Sequence, residues 1–314
     1  MESVCVFDAH CDTISRCWRE YEGLDCNSGA LSLKRTAGFG RYCQFFALWT
    51  ADGYTGYPIG GDSVERAYHA LLRCFKDQMA CNSDKIVQCR TVEEARHAHS
   101  HGRSAAFLSV EGAELLGCDP HRLDEAAAEG VVAINLTWNH ANVLSGAHND
   151  DPERGLSSLG RRFVEKMEEL HILVDVSHLS EAGFWDVAEM ARRPFMASHS
   201  NAKSVWNHTR NLTDGQINAI IKNQGVIGLN FYTGFVGGSQ NLDMVRAHLD
   251  HILALGGTAN IALGGDWDGC DLISELPAID SLPKLYEHLL HHGYSEAVVQ
   301  DLFYNNLMRV VSQR

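Results

Sequence analysis

The chain has 314 residues, 45% hydrophobic and 21% charged, an ordinary globular composition with ample apolar material for a core. Twenty-six basic residues against forty acidic ones leave a formal charge of −14, which argues against a nucleic-acid partner and reads as a solubility feature. Ten cysteines contain no C-x-x-C pair, and several sit inside apolar runs, so reduced thiols are expected.

The N-terminus, Met1-Glu2-Ser3-Val4, shows no basic segment leading into an apolar stretch, and no signal peptide is expected. Strands are predicted over 4–10 and 44–49; a glycine-rich stretch at 53–61 and helices over 62–80 and 92–101 follow. Next come a strand at 105–112, a helix at 122–129, a strand at 131–137 and a helix at 157–170. The pattern continues with strand 172–178, helix 181–192, strand 194–199 and helix 213–222, which opens on the capping-box spacing Thr213-Asp214-Gly215-Gln216. Strand 226–231, a glycine-rich 234–239, helix 242–255, strand 261–269 and helix 295–311 complete it. The strands are apolar without strict alternation, as parallel strands covered on both faces are.

Eight strands interleaved with helices predict an α/β fold of the (β/α)₈ TIM-barrel type, one domain over 1–314; a doubly wound sheet would give the same alternation. No run of 18 apolar residues appears, and the C-terminus, Val311-Ser312-Gln313-Arg314, lacks the apolar tail of a lipid-anchor signal. The expectation is a cytoplasmic protein without membrane contact.

Chemistry collects at strand ends. His10 and Asp12 close the first predicted strand, Glu111 the third, His178 the fifth, His199 the sixth, and Asp266 with Asp268 the eighth. In a parallel barrel these termini meet at one rim. Taken singly, each side chain has a bland reading as a hydrogen-bonded structural residue or a turn cap. Converging without a partner, they would make an unfavourable pocket of buried imidazoles and carboxylates, so a metal site is the better joint reading. Five ligands, His10, Asp12, Glu111, His178 and His199, exceed the needs of one catalytic zinc. Two divalent ions at roughly 3.5–4 Å, bridged by a carboxylate and a hydroxide, would use them, leaving Asp266 as general base.

The chain resembles the membrane (renal) dipeptidase family along nearly its whole length. The resemblance rests on Phe7-Asp8-Ala9-His10-Cys11-Asp12, Val110-Glu111-Gly112, Asp175-Val176-Ser177-His178, Ser198-His199-Ser200-Asn201, Arg210-Asn211-Leu212, Gly264-Gly265-Asp266-Trp267-Asp268-Gly269 and Asn306-Leu307-Met308-Arg309. It implies a zinc dipeptidase with a small dipeptide substrate: His10 and Asp12 on one Zn²⁺, His178 and His199 on the other, Glu111 bridging and Asp266 as acid/base. Arg210 would grip the substrate's carboxylate, and Tyr232 would line the pocket or simply pack. A homodimer is also implied. One departure concerns the histidine that the family often places after Leu-Thr to hold the scissile carbonyl. Here Trp138 stands there, with His140, Asn139 or Asn142 as candidate substitutes. Other hydrolases on the same barrel (lactonase, deaminase, phosphoesterase) or a scaffold without catalysis are the alternatives. The histidines at 97, 99, 101, 288, 291 and 292 are expected to be solvated.

Overall fold

Eight parallel strands close on themselves in the order β2-β1-β9-β8-β7-β6-β5-β4, with β2 pairing β4 to complete the barrel. They are β1 (Cys5–Cys11), β2 (Arg41–Leu48), β4 (Ser104–Glu111), β5 (Val131–Asn135), β6 (Leu173–Asp175), β7 (Met196–Ala197), β8 (Val226–Leu229) and β9 (Ile261–Leu263). The computed structural model describes residues 3–51 and 62–314, so the glycine-rich stretch 53–61 lies outside the described residues. The fold is the TIM barrel, not the doubly wound alternative.

The ninth strand, β3 (Ile86–Gln88), was not expected. It pairs with Ser104–Ala106 at the start of β4, whereas β5 joins β4 only from Leu108 onward. Backbone groups of the first half of β4 would otherwise lack a partner on that side, and β3 supplies it. Helices Thr13–Glu20 and Leu282–His291 are also additions, and the final predicted helix is interrupted by a π turn at Asp301–Asn305.

The lumen is filled from below by aromatic rings. Phe7, Phe45 and Phe107 stack with centroids 5.1–5.6 Å apart, and Tyr304, Leu307 and Met308 from the last helical segments plug the floor. An apolar floor leaves the other end of the lumen, at the strands' carboxyl termini, for polar chemistry. Two of the histidines expected to be solvated are not. His99 is half-buried, with Nε2 3.2 Å from Tyr42 O, because it tucks between helix Val92–Ser100 and β2. His288 is half-buried against Asp243 at 3.3 Å.

A bulge in β1 decides which way its ligands point. Asp8 pairs with Gln44 and Cys11 with Phe46, so three steps on β1 answer two on β2. Phe7 faces the lumen, yet Cys11 packs in the outer layer, and His10 and Asp12 are turned to the rim. The buried Asp8 carboxylate holds the bulge: Oδ1 accepts from His10 N at 3.0 Å and Gln44 Nε2 at 2.9 Å, and Oδ2 accepts from Gly265 N at 2.9 Å. Asp175 ties β6 to β7 similarly, accepting from Ser177 N and Ser198 N, both at 3.0 Å. Asp8→Ala takes the acceptor from the buried N–H groups of His10 and Gly265, at about 1–3 kcal/mol each before relaxation, and leaves Gln44 Nε2 with Phe45 O alone. Its urea unfolding midpoint should fall well below that of the intact chain; an unchanged midpoint would remove Asp8 from this role.

Candidate metal centre

The sequence places a ligand-capable side chain at or just beyond the end of each of β1, β4, β6, β7 and β9, and the barrel brings all of them together. Glu111, the last residue of β4, stands at the middle. Its Oε2 lies 3.5 Å from His10 Nε2, which is itself 3.5 Å from Asp12 Oδ2. Its Oε1 lies 2.9 Å from His178 Nε2 and 3.5 Å from His199 Nε2. One carboxylate thus presents each oxygen to a separate pair of side chains. Asp266 Oδ1 joins the first pair, 4.0 Å from His10 Nε2. His178 and Asp266 sit in the left-handed backbone region, φ 71° and 61°, where side chains other than glycine are strained. Such strain persists where surrounding structure enforces it, as at functional sites.

The outer hydrogen bonds define what the ring nitrogens offer. His178 Nδ1 donates to Asn139 Oδ1 at 2.8 Å, so its Nε2 is a bare acceptor. That Nε2 lies 2.9 Å from His199 Nε2, whose Nδ1 is held by Ser198 Oγ at 2.7 Å. The bare Nε2 of His178, the Nε2 of His199 and Glu111 Oε1 thus crowd into one point, a donor set that a cation would satisfy. His10 Nε2 and Asp12 Oδ1 are buried without a hydrogen-bond partner, which makes the same demand.

Electrostatics agree. Burial pushes the Glu111 carboxyl up to about 7 and raises Asp266 as well, because Asp12, Glu111 and Asp266 crowd together away from water. Burial opposes a charge on His10, but Glu111 and Asp12 overcome it and lift its pKa well above the ordinary value. Burial, then Arg210 and the neighbouring imidazoles, hold His178 and His199 well below theirs, in the neutral form a metal takes. The donor set of imidazole nitrogens and carboxylates suits Zn²⁺ and similar divalent ions. The residues present fit a metal.

Over this cluster opens a cavity of about 540 Å³ lined by Trp49, Trp138, Asn139, Tyr232, Phe235 and Arg210, among others. Arg210 is 3% exposed, stacked 5.2 Å over Phe235, and makes only long contacts of 3.4 Å to Ser200 Oγ and His199 O, with Nε unpartnered. Burial lowers its pKa to about 10, so it stays charged. Tyr232 lines the cavity and also packs edge-on against Phe235, 4.7 Å between centroids.

Two residues expected to bind substrate, His140 and Asn142, are not among those that line this cavity. His140 keeps 48% of its side chain exposed and pairs with Asp150 at 3.6 Å outside the cavity. Asn142 is engaged in its own loop, donating to Glu114 and Leu136 and accepting from Leu144 N at 2.7 Å. Asn139 lines the cavity instead. Asp268 accepts from Thr13 Oγ1 at 2.7 Å and Ala30 N at 2.6 Å, whereas Asp266 is held by Asn230 at 3.0 Å and faces His10. Gly269 passes so close that a Cβ there would overlap the carboxylates of Asp12 and Asp266.

A sequence model of the membrane dipeptidase family (peptidase family M19) matches residues 1–314. The chain belongs to that family. It is therefore placed among metal-dependent dipeptidases. Similar proteins include a metallopeptidase from Rhodobacter sphaeroides with a bound phosphinate mimic of the dipeptide L-Ala-D-Ala, 28% identical, TM-score 0.88, with 99% of each chain covered. The metallopeptidase named dipeptidase AC is 29% identical over 99% of both chains, TM-score 0.91. An uncharacterized protein of the pqqA 5′ region of Klebsiella pneumoniae is 30% identical over 81% of this chain and 97% of its own length. Among the described residues no helix is long and apolar enough to cross a membrane, and all ten cysteines are free thiols.

His248 braces part of this rim. Fully buried, it accepts from Ala202 N at 3.2 Å and donates Nε2–H to Val236 O at 3.1 Å, linking the loop beyond His199 to the segment beyond Tyr232. Burial lowers its pKa to about 4. A folded-state pKa below the unfolded value near 6.5 means its contribution is intact above pH 6.5 and is lost as pH falls toward 4, up to about 3 kcal/mol. Denaturant titrations at stepped pH should show a shallower acid loss for His248→Gln; an identical slope would contradict the assignment.

Proposed function

We propose that the chain hydrolyses the peptide bond of small dipeptides with two divalent ions, most suitably Zn²⁺. His10 and Asp12 would hold one, His178 and His199 the other, and Glu111 would join them. The observation that carries this is the division of Glu111's two oxygens between two ligand pairs. When bound, such a pair of ions supplies an activated water and polarises a carbonyl.

The chain's own residues provide the rest. Asn230 fixes Asp266 through Oδ2, leaving Oδ1 turned toward the cluster, where it takes a proton from water and passes it to the leaving amine. Burial raises the pKa of Asp266, which suits a carboxylate that must carry a proton in mid-reaction. Arg210, charged and under-satisfied, anchors the substrate's terminal carboxylate with its planar fork. Asn139 is the residue of the Trp138 loop able to meet the substrate: its Oδ1 serves His178 and His148, and its amide Nδ2 has no hydrogen-bond partner among the described residues. The cavity volume accommodates a ligand of about two residues.

The test is amine release from a panel of L,L- and L,D-dipeptides, beside N-terminally free dipeptide amides that lack the carboxylate. Dipeptides should turn over and the amides should not compete. Arg210→Met should raise KM by about 10²-fold, the loss of one buried charge-assisted bidentate contact of 1.5–3 kcal/mol or somewhat more. Preference for lactones, or equal KM in the Arg210 variant, would reject the reading.

A further inference from the structure

Away from the active centre, helix Leu242–Ala254 packs against helix Leu282–His291 and places Asp243, His288 and His292 together. One atom from each lies within 4.8 Å of the others. His288 Nε2 is 3.3 Å and His292 Nε2 is 3.8 Å from the same oxygen, Asp243 Oδ1. The two imidazoles are one helical turn apart, with ring centroids 4.2 Å from each other, so they converge from one face.

Hydrogen bonding constrains what this cluster can do. His292 Nδ1 lies 2.7 Å from His288 O. A carbonyl only accepts, so Nδ1 carries the proton and the neutral ring turns a bare Nε2 lone pair toward a carboxylate oxygen. His288 Nε2 is shielded from solvent and has no aligned hydrogen bond, in spite of its approach to Asp243. Two imidazole nitrogens and a carboxylate oxygen thus converge on one point, a donor set that a divalent ion can take. Arg246 reaches the same oxygen at 3.3 Å, but it also holds Asp250 at 2.9 Å and keeps that anchor if Oδ1 is taken.

We propose that Asp243, His288 and His292 form a peripheral site for a divalent transition metal, separate from the active centre. Two imidazoles and one carboxylate select Zn²⁺, Cu²⁺, Ni²⁺ or Co²⁺ over Mg²⁺ or Ca²⁺. A bound ion staples the helices that follow β8 and precede the C-terminal segment. It thereby steadies the part of the barrel whose strand ends carry Asn230 and Asp266.

The experiment titrates Zn²⁺ into the full chain and into His288→Asn, His292→Asn and Asp243→Asn variants, with ions per chain counted after buffer exchange. Because the active centre is common to all, only the difference between proteins is read. The intact chain should take up one ion more than the variants, or bind it at least about tenfold more tightly, the scale lost when even an outer partner of a metal ligand is removed. Its melting temperature should rise with Zn²⁺ more than theirs. Zn²⁺ should also perturb the ring resonances of His288 and His292 in the intact protein. Equal stoichiometry and affinity in all four proteins would overturn the proposal. So would ring resonances of His288 and His292 that are insensitive to Zn²⁺.

Discussion

Glu111→Gln is expected to lose bound metal and lower kcat/KM by about 10³-fold or more, since the paired ions' several kcal/mol of charge stabilisation goes with it at about 1.4 kcal/mol per tenfold. The reason lies in the two-sided contact of this carboxylate. Gln offers one acceptor where Glu111 offers two, so one of the two ligand pairs loses its shared oxygen. The fold should survive. An amide N–H placed against the bare Nε2 of His178 gives that acceptor a donor. It also removes a buried carboxylate whose ionisation burial opposes. The apo variant should therefore be at least as stable as the apo parent, while its metal content collapses. Metal analysis beside urea unfolding checks both halves. Retention of two ions with full activity would reject the bridging role.

Asp266→Asn should behave differently: metal content near that of the parent, KM little changed, and kcat reduced by about 10²–10⁴-fold, the usual worth of a positioned general acid–base. The control is Asp268→Asn. Asp268 spends both oxygens on Thr13 and Ala30, so its loss should cost stability, about 1–3 kcal/mol, more than turnover. If the larger kcat loss fell on Asp268, the roles of the two carboxylates in the Asp266-Trp267-Asp268 turn would have to be exchanged.

The sequence disclosed the barrel and its rim for one physical reason. Parallel strands buried on both faces are apolar throughout, so a His, Asp or Glu at a strand's end stands out, as Glu111 does after Phe107-Leu108-Ser109-Val110. What stayed hidden depends on contacts between distant segments. The three residues of β3 form a strand because the start of β4 needs a partner, which no local pattern announces. The bulge that aims His10 is maintained by Asp8, whose partners Gln44 and Gly265 are far along the chain. Asn139 and His140 are neighbours in sequence, yet one lines the cavity and the other faces solvent, a division set by how the loop after β5 packs under His148 and His178. A buried aspartate two or three residues before each of His10 and His178 was the readable clue to bracing at those ends.

The most direct measurement is diffraction at the zinc absorption edge from crystals of the zinc-loaded protein. The account predicts two anomalous peaks flanking the Glu111 carboxylate, one within bonding distance of His10 and Asp12 and the other of His178 and His199. A single peak there, or none with these five side chains solvated, would contradict it.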